Sequence, residues 1–158
     1  MCGKNDVLLS VSYGLSCFDT KRPYLCWVKA YNSILLLTVN CEPLMSTEAF
    51  SAREFRDALS SFATGVTVVT CLDANGDPVG ATASSFNSVS MDPPLILWSI
   101  TKTAYSADAF INAKQFVVNV LSAEQIDISN KFARSGTDKF ADVVVEQGFG
   151  GVPVLPDT

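Results

Sequence analysis

The chain has 158 residues, 48% of them hydrophobic and 17% charged, a balance too apolar for a disordered protein and a length that suits one domain or one domain with a tail. Eleven Lys+Arg against sixteen Asp+Glu leave a net charge of −5, without the basic footprint of a nucleic-acid binder, and no apolar run approaches the ~18 residues that cross a bilayer. Histidine is absent, which excludes histidine triads, histidine-ligated metals and imidazole general bases.

Met45 divides the chain. Residues 1–45 carry Lys4, Lys21, Arg22 and Lys29 against Asp6, Asp19 and Glu42, so the acidic excess falls on the rest. Cys2, Cys17, Cys26 and Cys41 also precede Met45, and only Cys71 follows it. Their spacing contains no CxxC knuckle, so they read as unpaired thiols of a reducing, cytoplasmic protein rather than a zinc site or disulfides. The apolar run Val7–Leu15 lacks a small-x-small cleavage site, and Ser33–Val39 is short, so neither reads as a secretory signal. Pro23 and Pro43 interrupt this segment, which shows no readable period. The expectation is an unassigned extension over 1–44, added ahead of Met45, and a single domain over 45–158.

Ser51-Ala52-Arg53-Glu54 is a capping box, and Phe55, Ala58, Leu59 and Phe62 recur at helical spacing behind it. The helix runs over roughly 52–62 and ends at Thr64-Gly65. Val66–Leu72 is a β-branched run, Asp73-Ala74-Asn75-Gly76-Asp77 a polar turn, and 79–86 the returning strand of a hairpin. Asp92-Pro93-Pro94 marks a strand boundary. Leu95–Ile100 and Phe116–Leu121 read as buried strands, with a short helix over 104–113 between them. Trp98, inside the first, reads as core. A second capping box, Ser122 to Gln125, opens a helix that reaches about Ala133, and 143–146 is a possible last strand. Strands outnumber helices and adjoin through hairpin turns, which predicts α+β with a mainly antiparallel sheet or barrel.

The segment 80–94 gathers Thr82, Ser84, Ser85, Asn87, Ser88 and Ser90. Small hydroxyl residues at a strand end let backbone amides approach a flat polar ligand or a phosphate; they also make an ordinary serine-rich loop between strands. Neither GxGxxG nor GxxxxGK[ST] occurs, and a serine nucleophile has neither a histidine nor SxxK spacing to activate it. Lys102, Ser106 and Lys139 each admit two readings, a phosphate contact or a solvated loop position.

Taken in order, Phe55–Leu59, Phe62–Thr70, Thr82–Leu95, Phe116–Gln125, Phe132-Ala133 and Lys139-Phe140 resemble the flavin reductase-like family of short-chain NAD(P)H:flavin oxidoreductases. The resemblance begins near Phe50 and does not reach residues 1–44. It implies a split β-barrel with short flanking helices, a homodimer that binds FMN or FAD near its interface. It also implies NAD(P)H as co-substrate and reduced flavin passed to a flavin-dependent monooxygenase, with neither nucleic acid nor membrane as partner. By position, Thr82, Ala83, Ser84 and Ser85 would line the isoalloxazine, and Ser88, Val89 and Ser90 would complete its loop. Lys102, Ser106 and Lys139 would lie toward the phosphate or ribityl side, and Phe132 and Ala133 would close the pocket. No catalytic side chain is expected, because hydride transfer needs positioning rather than a protein nucleophile.

The family pattern continues past Val154-Leu155-Pro156-Asp157-Thr158 through strands that carry a Gly-Asp-His motif associated with the nicotinamide. The expectation is therefore a barrel incomplete at its C-terminus, and two readings follow. One is a flavin reductase; the other is a non-catalytic flavin-binding module or inactive fragment.

Overall fold

The hairpin after the first helix forms for the reasons its sequence suggests. Asp73 Oδ1 accepts the N–H groups of Asn75 and Asp77, both at 2.8 Å, and Gly76 supplies the positive φ of 86°. The computed structural model describes residues 8–18, 25–29, 34–36, 51–136 and 138–158. Its strands are β1 (Leu8–Phe18), β2 (Leu25–Lys29), β3 (Ile34–Leu36), β4 (Thr67–Leu72), β5 (Pro78–Ala83), β6 (Asn87–Met91), β7 (Pro94–Thr101), β8 (Gln115–Val120), β9 (Glu146–Gln147) and β10 (Pro153–Val154). Its helices are α1 (Ala52–Ser60), α2 (Ala107–Asn112) and α3 (Ile126–Ala133), the last entered through a 3₁₀ turn at 123–125. The fold is α+β, as predicted. Among the described residues no helix is long and apolar enough to cross a membrane.

One antiparallel sheet carries the order β5-β4-β8-β2-β1-β7-β6, with β3 beside β1, and β9 and β10 pair separately. β4 is buried from Thr67 to Cys71 because it is covered on both faces. Val69 and Cys71 enter a cluster with Ile96, Trp98, Ile100, Phe110, Phe116 and Val118, whereas Val68 meets Phe132 and Leu155 on the other side. That is why its sequence reads as a continuous apolar run rather than an alternation. Trp98 is core, with Phe110 and Phe116 edge-on to it at centroid distances of 4.9 and 6.0 Å. β7 and β8 lie three places apart in the sheet, about 14 Å if it were flat, so the sheet is strongly curled around these rings.

Three readings need correction. The returning strand of the hairpin ends at Ala83, and Asn87–Met91 forms a separate strand paired with β7, joined to it through the cis Asp92–Pro93 bond. Its mostly exposed residues and the register shift between Ser88 and Ser90 hide the alternation that would have revealed it. α1 keeps both reciprocal bonds of its capping box but ends at Ser60 rather than 62, and Leu59 and Phe62 are 59% and 77% exposed. The segment before Met45 does have a period. Leu9-Ser10-Val11-Ser12-Tyr13-Gly14-Leu15-Ser16-Cys17 alternates apolar with small residues, and β1 and β2 join the sheet between β7 and β8. The thiols of Cys2, Cys17, Cys26 and Cys41 lie outside the described side chains.

The last residues are fastened by a buried amide. Asn119, fully buried on β8, donates through Nδ2 to Val68 O at 2.8 Å and accepts the Leu155 N–H at Oδ1, 2.9 Å away. Thr70 donates its hydroxyl to Pro153 O at 2.6 Å, and Gln125 Nε2 donates to Pro156 O at 2.9 Å. Substituting Asn119→Leu orphans the Leu155 N–H and one bond to Val68 O. A loss of about 3 kcal/mol in urea unfolding is expected, with the Leu155 amide exchanging faster than the β4 amides.

Candidate functional site

α3 is held across β5 by a hydroxyl and by a missing side chain. Thr82 donates Oγ1 to Ser129 O at 2.7 Å. Gly80 leaves room for the Phe132 ring, whose Cε1 and Cδ1 lie 2.5 and 2.6 Å from where a Cβ would stand. Phe132 is buried and meets Phe140 edge-on at 5.0 Å. Lys139 then reaches in from the loop after α3 and donates Nζ to Gly80 O at 3.1 Å and to Phe132 O at 2.9 Å. The second acceptor belongs to the last turn of α3, so the ammonium caps a helix C-terminus. Burial pulls the Lys139 pKa below its ordinary value. Lys131 Nζ donates to Ala141 O and pins the far end of the same loop.

Beside this knot lies an open cavity of about 300 Å³. Ala81 and Thr82 of β5, Ser99–Thr101 of β7 and Ala104–Ser106 of the following turn form two of its walls. Phe132-Ala133-Arg134-Ser135 and Lys139 form the third. Its polar groups are hydroxyls and two cations, with no carboxylate in the lining. Arg134 has no hydrogen-bond or ion-pair partner among the described residues, and the electrostatics of the space are those of an anion site.

Of the residues expected at a site, Thr82, Ser106, Phe132, Ala133 and Lys139 share this cavity. Ala83 faces the core, in the cluster of Val69 and Trp98. Ser84 and Ser85 are exposed on the segment leading into β6, Ser88 and Val89 are exposed and Ser90 half-buried within β6, and Lys102 is exposed after β7. Ser85 works on the backbone: its Oγ accepts the Ser99 N–H at 2.9 Å, extending the ladder beyond the end of β6. Ser90 likewise accepts the Asp92 N–H at 3.2 Å. Arg134, Ser135, Tyr105 and Thr101 were not anticipated. Arg134 and Ser135 follow Phe132-Ala133 directly, and their place just past a helix end was the available signal.

Comparison with known proteins bears on the same residues. The model of the flavin reductase like domain matches residues 59–158. The chain belongs to the flavin reductase-like family. It is 48% identical over 108 residues to the FMN reductase (NADH) SmoA of Agrobacterium fabrum, covering 68% of this chain and 61% of that protein. It is 53% identical over 92 residues to the reductase component of a flavin-dependent trigonelline monooxygenase from Acinetobacter baylyi, covering 58% and 30% respectively. The chain thus spans between about a third and three-fifths of these curated relatives. The solved NADH:FAD oxidoreductase SgcE6 of Streptomyces globisporus, in complex with NAD and FAD fragments, superposes with a TM-score of 0.62 at 34% identity, over 71% of this chain and 69% of that one.

Two outcomes test the geometry of this family member's site. Gly80→Ala drives a methyl into the Phe132 ring and should cost about 1–3 kcal/mol in denaturant unfolding. Gly65→Ala, where nothing lies within 4 Å, should change stability by less than about 0.5 kcal/mol. The Cys71 thiol is fully buried, its pKa pushed up to about 12 by burial and then by the Asp73 carboxylate. Peptide mapping after iodoacetamide treatment of the native chain at neutral pH should therefore find Cys71 unmodified, and modified only after unfolding.

Proposed function

We propose that this chain is the flavin-binding part of an NAD(P)H-dependent flavin reductase, holding FMN or FAD in the cavity between β5, β7 and α3. The observation that carries the reading is the lining: Arg134 and Lys139 at one wall, hydroxyls around them, and no carboxylate. A flavin nucleotide needs such a place for its phosphate, and Ala81, Ile100 and Ala104 offer apolar surface beside it. The names of relatives that reduce FMN with NADH, or bind NAD and FAD fragments, support the same reading.

When bound, the flavin would supply the hydride acceptor, chemistry that no side chain here provides. The chain's own task is to position and to shield. Arg134 would hold the phosphate through its fork of donors, and Lys139 would add positive charge from its two-carbonyl seat. Thr82 through Ser85 and Ser88 through Ser90 would flank the ring system, with Ala83 contributing backbone only. Lys102 and Ser106 would stand toward the ribityl and phosphate side. Reduced flavin would pass to a partner monooxygenase in the cytoplasm; the Acinetobacter relative is named as the reductase component of a flavin-dependent monooxygenase. A split barrel in a homodimer, with 45–158 as the domain, would be the frame. The second reading keeps the flavin and drops turnover.

Fluorescence titration with FMN, FAD and riboflavin, followed by NADH, tests this. Saturable FMN binding is expected, and Arg134→Ala should weaken it by about tenfold to a hundredfold while leaving riboflavin, which lacks the phosphate, unchanged. Equal losses for both ligands would remove Arg134 from the phosphate role, and absence of flavin binding by the folded chain would end the proposal. NADH oxidation above the free-flavin background separates reductase from binding module.

A further inference from the structure

The β1–β2 pair fills a slot in the sheet. β7 has β6 on one side and β1 on the other, and β8 has β4 and β2. Leu8–Gly14 lie opposite Thr101–Leu95, and Leu25–Lys29 opposite Asn119–Gln115. With this pair gone, β7 and β8 would both present unpaired edges. These are apolar strands: Ile96, Trp98 and Ile100 of β7 and Phe116–Val118 of β8 are buried. Such edges are templates for pairing with another chain.

The sequence carries the register independently of the ladder. Leu9 stands opposite Ile100, Val11 opposite Trp98 and Tyr13 opposite Ile96, each an apolar position of the β1 alternation against a core position of β7. Cys26 opposite Val118 and Val28 opposite Phe116 repeat the match on β8. A slip of one residue would set Ser10 and Ser12 against the core positions instead. The edges that remain are blunted, since β6 is short and broken by its register shift and β5 opens with Pro78.

We infer that β1 and β2 (residues 8–18 and 25–29) are a built-in strand insert that completes the sheet and blocks the β7 and β8 edges against pairing with a second copy of this chain. The segment lies outside the region matched by the family model, and the inference is independent of what the cavity binds.

Hydrogen exchange on the full chain, with mass determined by light scattering, tests it. In the unmodified protein the amides of 8–14 should be protected together with those of 95–101; rapid exchange throughout 8–14 overturns the inference without any variant. Val11→Lys puts a charge at the Trp98 register, whereas Ser12→Lys puts it one residue along, on the opposite face. Val11→Lys should speed exchange of the β7 and β8 amides that face β1 and β2 by about a hundredfold and raise the mass above that of the unmodified protein. Ser12→Lys should do neither. Equal behaviour of the two variants, or a Val11→Lys chain that keeps the mass of the unmodified protein with β7 protected, overturns it.

Discussion

The carboxamide of Asn119 is fully buried, and the seat of Lys139 at the cavity leans on the bonds it makes. A buried amide is costly unless both its ends are satisfied. Here Val68 O and the Leu155 N–H satisfy them, at 2.8 and 2.9 Å, and in doing so set the last segment against β4 and β8. Leu155 thereby enters a cluster with Val68 and Phe132. Phe132 in turn fits only where Gly80 lacks a side chain, and Gly80 and Phe132 provide the two carbonyls that seat Lys139. A hydrogen bond on one face of β4 therefore fixes the position of a cation on the rim of the cavity.

That cation resolves an electrostatic conflict. The cavity is built at the C-terminal end of α3, where unsatisfied carbonyls present negative potential and would repel an anion. Lys139 takes the Phe132 carbonyl, and Arg134, the first residue past the helix, adds a second positive charge with no partner among the described residues. The usual way to hold a phosphate is at a helix N-terminus. In the proposed site the opposite end of a helix would be made suitable by side chains, which would make it more dependent on those two residues than a backbone cradle is.

Legibility followed the physics of each element. β4, β7, β8 and the Asp73–Asp77 turn were plain in the sequence because β-branched runs, prolines and an Asx turn act locally. Both capping boxes were equally plain. β6 was not, since an exposed, shifted strand of Asn, Ser and Met has neither an apolar run nor alternation. The alternation of β1 was present, but Pro23 and Pro43 broke up the segment and hid its period until the pairing with β7 gave it a face. The cavity was half legible: resemblance pointed to Thr82, Ser106, Phe132, Ala133 and Lys139, and stopped one residue short of Arg134.

The hydroxyl-rich segment shows how a composition that suggests a ligand can have a structural cause of its own. Three of its hydroxyls are occupied with backbone: Thr82 with Ser129 O, Ser85 with Ser99, and Ser90 with Asp92. Ser85 replaces a rung ahead of β6, Thr82 ties β5 to α3, and Ser90 closes the turn into β7. Serine and threonine are thus required here to hold the chain's path, whatever it binds. The consequence for recognition is specific. A planar ligand lying along this segment would meet small side chains and peptide groups whose positions those hydroxyls have set, so its contacts depend on backbone geometry and tolerate exchange of Ser84 or Ser88 better than exchange of Thr82 or Ser85.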